Sequence, residues 1–123
     1  MRALVDEDES ALGWFDRIEQ GEIAAAWPEL ALVEVANALT TLVRAGRVTA
    51  GLGARTLALA LAAPIRVEPL GVLASAAFAL ALARTLSAYD ACYVVLAEAL
   101  GAPLVTADRR LAAATANGVL ITR

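Results

Sequence analysis

The sequence contains no histidine and no lysine, and its only cysteine is Cys92. Without imidazole, the chain cannot form a Ser-His-Asp site, a Cys-His site or a histidine zinc site. Without lysine, it can form neither a Schiff base nor the phosphate contact of a Walker-type loop. A single cysteine excludes an intramolecular disulfide. Any catalysis must therefore use carboxylates, hydroxyls, arginine or a bound metal ion.

Long uncharged runs are also missing. The longest lies between Glu68 and Arg84 and is too short to span a bilayer, and Pro69 and Gly71 interrupt its start. The first residues lack the charged, apolar and small-residue regions of a signal peptide. Cys92 lies in an apolar run, which is typical of a small core residue. We therefore expect a cytoplasmic protein without a membrane segment.

Hydrophobic residues make up 60% of the 123 positions, enough for the core of one compact domain over residues 1 to 123. All ten basic residues are arginine, and the net charge is -3. This charge gives no overall attraction for nucleic acid. Binding of RNA would need local arginine patches or carboxylates screened by a metal ion.

Hydrophobic periodicity and end signals predict helices alternating with short strands. Pro28 suits the first turn of a helix, Ser87 a helix start, and Gly101 a helix end. This order predicts an α/β fold, with a central parallel sheet flanked by helices on both faces. The predicted helices cover residues 9 to 20, 29 to 44, 49 to 62, 70 to 84, 87 to 100 and 108 to 115, and the predicted strands cover 23 to 27, 65 to 68, 104 to 106 and 119 to 122.

Three acidic residues occupy positions that suit a ligand site in such a fold. Glu34 lies at the edge of the apolar face of its predicted helix, with Asn37 one turn later. Asp90 lies in a helix that is apolar nearly all round, where a carboxylate needs a compensating partner. Asp108 follows a predicted strand. Each also has a structural explanation, because Glu34 fits a solvated surface, Asp90 a capping box with Ser87, and Asp108 a helix N-cap.

Strand ends and helix starts of a parallel sheet meet around one cleft, so the three carboxylates are expected to converge there. Converging carboxylates repel one another, and a divalent cation relieves that repulsion. Hard oxygen ligands favour Mg²⁺ or Mn²⁺ over zinc.

Three segments resemble successive motifs of the VapC-type PIN-domain toxins. They are residues 28 to 39 (PELALVEVANAL), 86 to 93 (LSAYDACY) and 102 to 111 (APLVTADRRL), and the resemblance extends over nearly the whole chain from Leu12. It implies a divalent-metal-dependent endoribonuclease that acts as the toxin of a type II toxin–antitoxin system. It also implies an RNA substrate, a cognate antitoxin and a homodimer.

Carried over by position, the resemblance makes Glu34, Asp90 and Asp108 the catalytic and metal-binding carboxylates, with Mg²⁺ or Mn²⁺ as cofactor. Asn37 and Thr106 would support them. Arg109 and Arg110 would contact RNA phosphates, although a charged pair on a terminal helix is also typical of a solvated face.

The first residues depart from the family pattern, which begins with a hydrophobic strand that ends in a metal-binding aspartate. In one alignment, Ala3 to Val5 is that strand and Asp6 is the ligand. In the other, which we favour, residues 1 to 9 match the acidic stretch after the family's first helix. The strand and its aspartate would then be absent and the domain truncated, because Asp6 lies too close to Glu34 and an acidic run is a poor helix entry.

Two functions from other classes remain open. A catalytically impaired PIN-domain remnant would bind an antitoxin or a partner subunit through its apolar helices without cleaving RNA. An unrelated small α/β binding domain would use all three acidic residues as caps or surface charges.

Overall fold

The structure is a computed structural model, and it describes residues 11 to 120. Six helices and four short strands make up this part of the chain, in the order that the sequence predicted. The helices are α1 Ala11–Glu19, α2 Leu30–Arg44, α3 Ala50–Ala62, α4 Leu70–Arg84, α5 Ala88–Leu100 and α6 Arg109–Ala113, and the strands are β1 Ala25–Pro28, β2 Ile65–Glu68, β3 Leu104–Thr106 and β4 Gly118–Leu120.

Side-chain caps lie at the starts of α3 and α5, close to the predicted helix starts. The Thr49 hydroxyl accepts a hydrogen bond from the Leu52 amide at the start of α3, and Ser87 accepts one from the Asp90 amide at the start of α5. These contacts satisfy amides that have no partner within the helix. Gly101 ends α5 in the left-handed conformation (φ 61°), which costs glycine little because it has no Cβ.

The parallel strands form two separate pairs. In one pair β1 lies beside β2, with Ala25 opposite Ile65, and in the other β3 lies beside β4, with Leu104 opposite Gly118. The predicted parallel α/β class is confirmed. A single central sheet is not seen in residues 11 to 120, where each sheet has two strands. Helix α5 contacts both β1 and β3, so packing on a shared helix connects the two sheets.

One predicted element boundary, at Pro28, was wrong. Pro28 was predicted in the first turn of the second helix, but it is the last residue of β1, opposite Glu68, and it is fully buried. Proline lacks an amide proton and is tolerated at strand ends. The amide of Glu29 donates instead to the Glu68 carbonyl at 2.9 Å, and α2 begins at Leu30.

Helices α4 and α5 pack against each other and carry most of the core. Buried residues of one cluster are Leu73, Ala77, Ala91, Cys92 and Leu96, and those of a second cluster are Val94, Ala97, Leu104 and Leu111. Leu80 packs against both clusters. The small residues of α4 and α5 allow the two helices to approach closely, and Cys92 takes the core position predicted for it.

No single helix within residues 11 to 120 has the length and hydropathy needed to cross a membrane. Helices α4 and α5 meet those criteria only as a pair, and the pair bends by 107° at the break between them.

Candidate functional site

Three predicted acidic residues line one cavity of about 300 Å³. Glu34 comes from α2, Asp90 from the first turn of α5, and Asp108 from the start of α6. Thr106, the last residue of β3, lines the same cavity, so the cavity lies at the carboxyl end of that strand. Parallel sheets commonly bind ligands at this edge. The remaining lining residues are Tyr93, Leu104, Val105 and Leu111.

Asp108 is the N-cap of α6, in agreement with the structural explanation of its position. Its Oδ1 atom accepts hydrogen bonds from the amides of Arg110 at 2.9 Å and Leu111 at 3.1 Å. The Thr106 hydroxyl accepts a hydrogen bond from the Asp108 amide at 3.0 Å. Thr106 thus fixes the backbone turn that presents Asp108 to the cavity. Since both helix amides use Oδ1, the cap leaves Oδ2 available.

Asp90 follows only half of the capping box predicted for residues 87 to 90. The Ser87 hydroxyl accepts from the Asp90 amide, but within the described residues the Asp90 carboxylate does not bond back to Ser87. It faces Arg110 instead, with 3.8 Å between Oδ2 and the guanidinium, and is 30% exposed. The carboxylate is therefore free of a capping role and accessible from the cavity.

Glu34 is exposed on α2, and its carboxylate accepts a hydrogen bond from the Tyr93 hydroxyl of α5. Burial of the ring is the main cause that raises the pKa of Tyr93 above its ordinary value, and the hydrogen bond to Glu34 raises it further. The hydroxyl therefore keeps its proton at neutral pH and can donate to the carboxylate. Sequence patterns gave no signal for this contact, which joins residues 59 positions apart.

The structure does not bring every predicted residue into the cavity. Asn37 is exposed on α2 outside the cavity lining, and its backbone carbonyl accepts a hydrogen bond from the Thr41 hydroxyl. Arg109 is exposed on α6. Arg110 is 74% exposed and has its guanidinium near Asp90. Asp6 lies outside the described residues.

The donor chemistry of the cavity fits a hard divalent cation, since three carboxylates and two hydroxyls line it. Within residues 11 to 120, no three acidic or thiol side chains lie close enough together to hold one ion jointly. Magnesium commonly binds through one or two carboxylates and keeps several waters. The described residues therefore suit an ion held partly through water.

Comparison with protein families matches residues 2–117 to the PIN domain. Curated proteins give no significant match to the chain. The family match covers nearly the whole sequence, and it agrees with the helices and the parallel strands described above. The chain therefore belongs to the PIN domain family, whose members are generally metal-dependent nucleases.

Proposed function

We propose that this protein is an endoribonuclease that depends on Mg²⁺ or Mn²⁺. The observation that carries the proposal is the arrangement of Glu34, Asp90 and Asp108. They come from three helices and line one cavity at the end of a parallel strand. With no histidine or lysine in the chain, carboxylates are the side chains that are deprotonated near neutral pH and so available to accept a proton.

Glu34, Asp90 and Asp108 would hold the metal ion partly through bound water, since the three carboxylates do not lie close enough to share one ion directly. Asp6 is a further candidate ligand. When bound, the ion would lower the pKa of a water molecule and offset negative charge on the scissile phosphate.

The chain's own residues suit complementary tasks. Asp90 is half-buried and has no capping role, and in this proposal it would orient an attacking water and accept its proton. Thr106 and the amides of α6 hold Asp108 in one orientation. Exposed guanidinium groups of Arg109 and Arg110, at the start of α6, are available to RNA phosphates beside the cavity.

The biological role in this proposal follows the resemblance to the VapC-type proteins. The chain would act as the toxin of a type II toxin–antitoxin pair in the cytoplasm, as a homodimer inhibited by a cognate antitoxin. Twelve large hydrophobic side chains are exposed within residues 11 to 120, among them Val33 of α2 and Leu59 of α3. Such surface is available for protein partners.

A second candidate is a catalytically impaired relative that binds an antitoxin or partner subunit without cleaving RNA. The observation in its favour is the spacing of the carboxylates, because no three of them within the described residues lie close enough to share one ion directly. The two candidates make opposite predictions for metal binding.

The test is calorimetric titration of Mn²⁺ into the 123-residue protein, with RNA cleavage assayed on the same samples. Asp90→Ala removes a carboxylate from the cavity. Asp16→Ala removes the same charge from the exposed face of α1 and serves as the matched control. Saturable binding and cleavage that Asp90→Ala loses and Asp16→Ala keeps would support the nuclease. A folded wild-type protein that neither binds Mn²⁺ nor cleaves RNA would favour the second candidate.

A further inference from the structure

The hydrogen bond from Tyr93 to Glu34 joins two helices across the acidic cavity. Tyr93 lies on α5 one turn after Asp90, so both side chains reach the cavity from the same helix face. The ring of Tyr93 packs against the cluster that contains Val94, Leu104 and Leu111. The hydroxyl is therefore presented to Glu34 by a ring that the core holds in place.

Glu34 has little else to fix it. It lies on the exposed side of α2, and within the described residues the Tyr93 hydroxyl is the hydrogen-bond partner of its carboxylate. A glutamate side chain has three rotatable bonds, and confining them costs conformational entropy that a ligand must otherwise supply. The other two cavity carboxylates differ, since Asp108 is held by helix amides and Asp90 is near Arg110.

We propose that Tyr93 is a positioning residue that holds the Glu34 carboxylate in the orientation needed for the metal site. This inference rests on the proposed nuclease function. The hydroxyl occupies one lone pair of the carboxylate and leaves the others for a cation or for its bound waters. Carboxylates that bind metals commonly receive such outer hydrogen bonds, and losing one weakens metal affinity by roughly 10- to 100-fold.

A purely structural role for the same hydrogen bond makes a different prediction. If the contact only tied α2 to α5, removing it would lower stability and leave the metal affinity of the folded protein unchanged. Measurements of both quantities on the same variants therefore separate the two roles.

Tyr93→Phe is the test variant, because it keeps the packed ring and removes only the hydroxyl. Tyr89→Phe is the matched control, because Tyr89 lies one turn earlier on α5 and is 66% exposed, outside the cavity lining. Mn²⁺ affinity is measured by calorimetry in the 123-residue protein, with urea unfolding on the same samples. We expect Tyr93→Phe to weaken Mn²⁺ binding about 10-fold and Tyr89→Phe to leave it unchanged.

The same substitution in a Glu34→Ala background completes a double-mutant cycle. If Tyr93 acts through Glu34, its removal has no further effect on Mn²⁺ affinity once the carboxylate is gone. An equal loss in both backgrounds would overturn the proposal, and so would wild-type affinity in Tyr93→Phe alongside weakened binding in Glu34→Ala. A wild-type protein that does not bind Mn²⁺ would overturn the proposed function and this inference together.

Discussion

Asp108 caps the helix that it begins and also lines the acidic cavity, and two substitutions distinguish these contributions. Asp108→Ala removes both, and we expect the free energy of unfolding to fall by about 1 kcal/mol for the lost cap. Asp108→Ser keeps an oxygen that can accept from the amides of Arg110 and Leu111, so stability should remain within about 0.5 kcal/mol of the wild type. We expect both variants to lose Mn²⁺ affinity, as measured by calorimetry beside urea unfolding.

Wild-type Mn²⁺ affinity in Asp108→Ser would mean that Asp108 serves the helix alone. The comparison is informative because the cap needs only an oxygen acceptor, whereas a cation is favoured by the negative charge of a carboxylate.

Local contacts at single residues were predictable, and distant ones were not. Thr49, Ser87 and Asp108 each bond to an amide two or three positions later, so neighbouring residues alone predict the caps. The bond from Tyr93 to Glu34 depends on how α2 and α5 pack, which no local pattern specifies. Whether a carboxylate binds metal likewise depends on residues brought together only by the fold.

At the scale of helices, the interface between α4 and α5 should be the most sensitive to truncation. Leu73 is 3% exposed in that interface, whereas its neighbour Val72 is 67% exposed on the outer face of α4. We expect Leu73→Ala to lower the free energy of unfolding by about 2 to 5 kcal/mol, because it leaves a cavity among packed side chains. Val72→Ala should change it by less than about 1 kcal/mol. Urea unfolding of both variants provides the comparison, and equal losses would contradict the predicted packing.

An ion pair joins the ends of the same two helices. Two guanidinium nitrogens of Arg84 contact the Glu98 carboxylate at 2.8 and 3.2 Å, and the Thr115 hydroxyl donates to the same group at 3.0 Å. The hydrogen bond from Arg84 is the main cause that lowers the pKa of Glu98 below its ordinary value, and the hydrogen bond from Thr115 lowers it further. This contribution to stability is present above the unfolded pKa of about 4.3 and is lost as the pH falls through the lower folded value.

Glu98→Gln tests this linkage. The difference in unfolding free energy between wild type and variant should be largest near neutral pH and should shrink as the pH falls below about 4.3. Unfolding by urea across a pH series measures it, with Glu22→Gln as a control in the exposed turn after α1. A difference that stays constant across the series would contradict a linked carboxylate.

The extents of β2 and α4 were predicted correctly because periodicity and end residues agree there. The boundary at Pro28 was wrong, because proline suits both a first helical turn and the end of a strand. In the structure Pro28 is buried opposite Glu68, a position that belongs to the strand and not to the helix. The prediction of one continuous sheet was not met in the described residues, because the order of strands and helices determines the α/β fold class but does not determine which strands pair with each other.

For the whole molecule, the net charge of -3 makes RNA binding dependent on local neutralisation. If the proposed function is correct, a bound cation screens the acidic cavity, and chelation should weaken RNA affinity. Fluorescence anisotropy of an uncleavable RNA analogue, measured in Mn²⁺ and then in excess EDTA, checks this expectation. The RNA affinity of Asp90→Ala should change less on addition of EDTA than that of the wild type. A wild-type RNA affinity that chelation leaves unchanged would contradict the prediction.

The two strand pairs also differ in how far apart their partners lie along the chain. Strand β3 meets β4 across a short segment, from residue 104 to residue 118, whereas β1 meets β2 from residue 25 to residue 65. Longer loops cost more entropy to close, by about 0.6 kcal/mol per doubling of length, and distant pairings slow folding. The unit formed by β3, α6 and β4 is therefore expected to assemble early in folding, with the pairing of β1 and β2 as the slower step.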